Sequence, residues 1–159
     1  MAEHINAVVE PVPEWVPVSE VTAPDVVAAD FEQLAGEFGL PAVRWPEPFP
    51  FDSSVAALAA TFAKQSGRVV AFSLAAMRQA FAAGRDLSEV DNVLLAAAAC
   101  ELHPRAVLKG MESKLVHEAL EGANAAAAAH GVSVVPAVCS EEGVVEGRDC
   151  LALLHRLPD

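Results

Sequence analysis

From Asp25 to Phe38 the apolar residues Val26, Val27, Phe31, Leu34 and Phe38 recur at spacings of three and four, and Gly39 follows. That period predicts an amphipathic helix closed by a glycine. Ahead of it the prolines of "EPVPEWVP" break any longer element, and the alternation in "WVPVSEV" predicts a short edge strand at about residues 14–19. After Gly39 comes "LPAVRWPEPFPFDSS", where Pro41, Pro46, Pro48 and Pro50 exclude a helix interior. An extended crossing loop is expected there, ordered because Trp45, Phe49 and Phe51 give it apolar surface to bury.

Helical periodicity then returns. Asp52 or Ser53 suits the N-cap of a helix with Val55, Leu58, Ala59 and Phe62 on one face and Gly67 near its end. A second helix is expected to turn Val70, Leu74, Met77 and Phe81 inward and to stop at Gly84. A shorter one runs from Val90 to about Glu101, and Pro104 fits the first turn of another whose stripe is Val107, Leu108 and Met111. Ser113 precedes "KLVHEALEGANAAAAAHG", a long Ala-rich helix ending at Gly131. Its alanines need no special function, since Ala is the best helix former and allows close packing.

At residue 132 the pattern changes. "VSVVPAVC" and "GVVEG" read as two strands joined by the turn "SEEG". "RDCLALLHRL" closes the chain as a helix, with Asp149 as N-cap and Cys150, Leu151, Leu153, Leu154 and Leu157 as its apolar side. The expected order is a strand, about five helices, two strands and a helix, without internal repeat. Pro136 stands out, because proline cannot donate to a sheet ladder. Two readings stay open: a Val135–Pro136 peptide held cis so that the Val135 backbone faces a ligand, or a trans proline at a strand's first residue or edge.

Composition narrows the function classes. The 159 residues suit one domain, and 53% hydrophobic with 20% charged residues lies far from the composition of disordered chains. A net charge of −12 without any Lys/Arg cluster argues against nucleic acid and anionic membrane surfaces as partners. The longest uncharged apolar run near the middle, "NVLLAAAAC", falls well short of the ~20 residues a membrane span requires. No secretion signal is expected at the N-terminus, and three cysteines without a CxxC spacing point to a reducing cytoplasm.

Little local chemistry is signposted. Cys100 and His103 are three apart, with His117, His130 and Cys139 elsewhere, but the paired spacings of a closed zinc site are missing and no metal site is expected. Cys150, at a predicted helix N-terminus beside Arg148, has the setting that stabilises a thiolate, whereas Cys139 in an apolar strand reads as core. There is no GxSxG, GxGxxG or phosphate-binding loop, and no catalytic residue can be assigned.

Three stretches in order, "LPAVRWPEPFPFDSS", "GRVVAFSLAAMRQAFAAGRDLSE" and "GVSVVPAVCSEEGVVEGRDCLALL", resemble the DsbA-like thioredoxin superfamily over roughly residues 12–157, in particular its 2-hydroxychromene-2-carboxylate isomerase and kappa-class glutathione transferase branch. The resemblance implies an α/β thioredoxin-like fold in a single domain over residues 1–159. In it a helical insertion at 24–130 separates the residual thioredoxin-like parts at 1–23 and 131–159. It implies a cis-proline whose preceding backbone pairs with a thiol ligand, which maps to Val135 and Pro136, and a G-x-D element touching glutathione, which maps to Gly147, Arg148 and Asp149. "AEHINAVV" resembles the back end of the family's first helix, so the chain is expected to be truncated before it, without the first strand and the CxxC or serine nucleophile. The function implied is a thiol/disulfide oxidoreductase or a glutathione-linked isomerase; the alternative is a non-catalytic thiol-ligand-binding or interaction module. No tightly bound cofactor is implied beyond glutathione as ligand, and an unpaired sheet edge makes a homodimer the expected assembly.

Overall fold

A computed structural model of the chain describes residues 14–20, 28–141 and 143–150. Between Ala28 and Ala129 it is helical: α1 (Ala28–Glu37), α2 (Ser54–Gln65), α3 (Val69–Met77), α4 (Val90–Ala99), α5 (Pro104–Met111) and α6 (Lys114–Ala129). A π-helical turn, Arg78–Ala82, extends α3. After α6 come β1 (Ala137–Ser140) and β2 (Gly143–Glu146), an antiparallel pair in the register Ala137 to Glu146, Val138 to Val145, Cys139 to Val144 and Ser140 to Gly143.

The helices pack around α2, which touches α3, α4, α5 and α6. Its buried residues are small, namely Ala57, Ala59, Ala60, Thr61 and Ala63, so its neighbours approach closely. Thr61 keeps its hydroxyl satisfied by donating to the Ala57 carbonyl one turn back, at 2.8 Å. Phe72 of α3, Val93 of α4 and Val107 of α5 are fully buried against this surface. At the crossing with α5 a glycine is required: a Cβ on Gly110 would fall on the Phe62 ring. The start of α2 is set by Asp52, whose carboxylate accepts from the Ser54 amide at 2.8 Å and the Ser54 hydroxyl at 2.6 Å. Ser53 occupies the capping position without a side-chain bond.

The crossing loop is held by its aromatics. Trp45 meets Phe31, Phe49 and Phe81 edge-on, with ring centroids 6.0, 4.9 and 5.9 Å away. Pro46 behind it is fully buried. The Glu47–Pro48, Phe49–Pro50 and Val135–Pro136 peptides are cis.

Four expectations need correction. Residues 14–19 form no strand: Pro17 has no N–H to give, and the Ser19 amide donates instead to Asn124 Oδ1 of α6 at 3.0 Å, while Asn124 Nδ2 donates to Ser19 Oγ at 3.1 Å. The strand expected from residue 132 begins only at Ala137: Val134 is a lone β-bridge residue, and its amide, like that of Ser133, donates to the Glu146 carboxylate. On α3 and the π-helical turn after it the inward face is Phe72, Ala76 and Ala80, and the expected inward residues Val70, Leu74 and Met77 are 63%, 51% and 54% exposed. The helix is apolar nearly all round, so periodicity could not distinguish its two faces. Cys139 is exposed rather than core, since β1 and β2 pair with each other and do not lie broadly on any described helix.

Candidate functional site

The five residues singled out by the resemblance converge where the hairpin closes. Pro136 immediately precedes β1, and Gly147 immediately follows β2. Because Ala137 faces Glu146 in the register, the two flanking residues meet, and the Gly147 N–H donates to the Pro136 carbonyl at 2.7 Å. Gly147 makes this turn at φ 58°, a left-handed conformation that glycine adopts without steric cost. Arg148 and Asp149 continue from it, both exposed. Asp149 is itself helical, so Arg148 rather than Asp149 flanks the first turn. The expected helix side at Leu151, Leu153, Leu154 and Leu157 lies outside the described residues.

On the other side of Pro136 the backbone is pinned by Glu146. Its Oε1 accepts from the Val134 amide at 2.9 Å and from the Ser133 amide, and its two oxygens lie 3.2 and 3.1 Å from the Ser133 hydroxyl. The Val134 bond first, then the Ser133 amide, favour the carboxylate form and hold the Glu146 pKa below its ordinary value; partial loss of water opposes them and the Ser133 hydroxyl assists. Between the two anchored points stands Val135, half-buried and next to the single bridge residue Val134, and no hydrogen bond joins its N–H or C=O to another described residue. Such a backbone unit offers one donor and one acceptor to an extended ligand.

The thiol closest to this edge is not poised for attack. Cys150 is 3% exposed, and its Sγ–H is directed between the Pro136 carbonyl at 3.2 Å and the Val145 carbonyl at 3.1 Å. It stands at the start of a helix beside Arg148, as the sequence leads one to expect, but it is buried and packs the hairpin against the turn. Cys100, deep in the helical block, has its thiol pKa pushed up by burial. All three cysteines are free, and among the described residues no three His, Cys, Asp or Glu side chains gather as metal ligands. No described helix is long and apolar enough to cross a membrane.

The role of Glu146 was missed in the sequence. A signal was present, since a strand ending in a glutamate next to a glycine turn faces the segment entering the partner strand; the hydrogen bonds depend on the register, which the spacing alone does not supply.

The family model of the DSBA-like thioredoxin domain matches residues 11–157. The chain belongs to that family. Its fold is similar to a solved structure of selenomethionine 2-hydroxychromene-2-carboxylate isomerase (HCCA isomerase), with a TM-score of 0.70 and 16% sequence identity. The likeness covers 80% of this chain and 62% of the isomerase chain, so this DSBA-like domain spans less than two thirds of that protein. At such identity the similarity is one of fold: a thioredoxin-like architecture, mostly helical, with a small antiparallel sheet. A comparison with curated protein sequences finds no match.

Proposed function

We propose that this DSBA-like domain binds a thiol ligand of the glutathione class along the Val135 backbone, as a thiol/disulfide oxidoreductase or glutathione-linked isomerase type of protein. The observation that carries the reading is the Val135 backbone, whose N–H and C=O have no partner among the described residues, held beside the Gly147–Asp149 turn by the 2.7 Å bond from Gly147 to Pro136. The ligand's peptide-like backbone would exchange hydrogen bonds with Val135. Its charged ends would meet Arg148 and Asp149, which stand exposed within two residues of Gly147. A reducing, cytoplasmic setting suits both a thiol ligand and three free cysteines.

A second reading, a non-catalytic thiol-binding or interaction module, draws support from Cys150: the thiol nearest Pro136 is buried and engaged with two carbonyls. Titration calorimetry with reduced glutathione, paired with disulfide-reduction and glutathione-conjugation assays, separates the two. The oxidoreductase or isomerase reading expects binding and turnover, both weakened by Asp149→Ala. Binding without turnover leaves the module. Absence of binding by the unaltered protein removes both.

A further inference from the structure

Glu146 is the only carboxylate among the described residues that accepts from two successive backbone amides. Carboxylates at Asp52 and Asp86 each take the amide two residues ahead of them, in local turns that fix their own segment. Glu146 reaches instead across thirteen and twelve positions of chain, to Ser133 and Val134, and among the described residues it makes no ion pair. Its side chain is therefore committed to backbone and to the Ser133 hydroxyl.

The location of that commitment is what matters. Val134 is the residue before Val135, and Pro136 is the residue after it. The first is tied to the Glu146 side chain, and the second, through its carbonyl, to the amide of Gly147, the neighbour of Glu146. Two adjacent residues, Glu146 and Gly147, thus grip the chain on both sides of one backbone unit that has no partner among the described residues. We infer that Glu146 is the positioning residue of the ligand edge: its carboxylate fixes Ser133 and Val134 so that the N–H and C=O of Val135 are presented in one orientation. This rests on the ligand reading above. A backbone edge already ordered in the free protein loses less conformational freedom on binding, and affinity rises accordingly. Glutamine at this position keeps an acceptor oxygen for the two amides, whereas alanine leaves them with none.

The test uses the full chain and the variants Glu146→Ala, Glu146→Gln and Ser133→Ala, with reduced glutathione as probe. Calorimetry should give roughly tenfold weaker binding for Glu146→Ala, most of it recovered in Glu146→Gln, and a smaller loss for Ser133→Ala, whose amide bond is retained. Amide exchange in the free proteins should quicken at Ser133 and Val134 in Glu146→Ala while the amides of α2 and α4 stay as slow as before. Wild-type affinity in Glu146→Ala, or no recovery in Glu146→Gln, would overturn the inference. If the unaltered protein does not bind glutathione, the ligand reading falls by itself. The clamp is then judged on exchange alone: it stands if Ser133 and Val134 quicken selectively in Glu146→Ala, and falls if they do not.

Discussion

At the hairpin base Glu146 and Cys150 spend their polar atoms on backbone rather than on chemistry. Glu146 keeps its charge because amides face it, and the sign of the resulting pH dependence follows from the depressed pKa. A folded pKa below the unfolded one means that the stabilisation is fully present above the ordinary glutamate value and is lost as pH falls through the depressed folded value. The amide resonances of Ser133 and Val134 should therefore shift together on acid titration, with a midpoint below that of glutamate in an unstructured peptide. A midpoint at or above the peptide value would mean that the carboxylate is not held by these amides. Thiol reactivity makes a separate residue-scale prediction. Cys139 is exposed, while Cys100 and Cys150 are buried, and burial raises the Cys100 thiol further out of the thiolate range. Iodoacetamide at neutral pH should label Cys139 in the native protein and reach the other two only after denaturation, as peptide mass mapping would reveal.

At the scale of the element, α3 separates what periodicity can tell from what it cannot. Its sequence, VVAFSLAAM, has no charge, so a stripe through Val70, Leu74 and Met77 and another through Phe72 and Ala76 fit a helical period equally well. The structure buries the stripe carrying Phe72, whose ring fills the space left by the alanines of α2 and α4. Phe72→Ala should then cost about 3–5 kcal/mol in urea unfolding. Leu74→Ala, on the outward face, should stay within about 0.5 kcal/mol. The reverse order would put the wrong face inward. Elsewhere the elements were readable wherever the chain carries its own punctuation. Asp52 opens α2, Pro104 takes the first turn of α5, and α6 begins after Ser113. Legibility failed where distant groups decide. The Ser19 amide belongs to Asn124, 105 residues away, and the Ser133 and Val134 amides ahead of β1 belong to Glu146, which only the register brings to them. Of the candidate site, the resemblance supplied the five residues at its two ends, while the clamp between them needed the register.

For the whole molecule, the division of apolar contacts predicts a division of stability. The helical block has one continuous core running from Ala59 through Phe72, Val93 and Val107 to Met111. The hairpin contributes no residue of β1 or β2 to it, and its strands are four residues each. A two-stranded hairpin of this length is marginal by itself in water. Among the described residues, what holds it is local: the Glu146 bonds, the Gly147 to Pro136 bond and the buried Cys150 at its base. Surface ion pairs add little. The three among the described residues are Lys64–Glu14, Arg68–Glu101 and Lys114–Glu118, and exposed pairs contribute only ~0–1 kcal/mol each. Ligand edges of this kind are drawn from the less stable end of a fold, where opening does not require the core to melt. Native-state hydrogen exchange across a urea series should show amides of residues 137–146 opening with a low free energy and little urea dependence. Amides of α2, α4 and α5 should exchange only through global unfolding, with the full urea dependence of the molecule. If the hairpin and the helices instead merged into one isotherm at low urea, the two would be a single cooperative unit. The edge at Val135 would then be as rigid as the core, and its order would come from the whole fold rather than from Glu146.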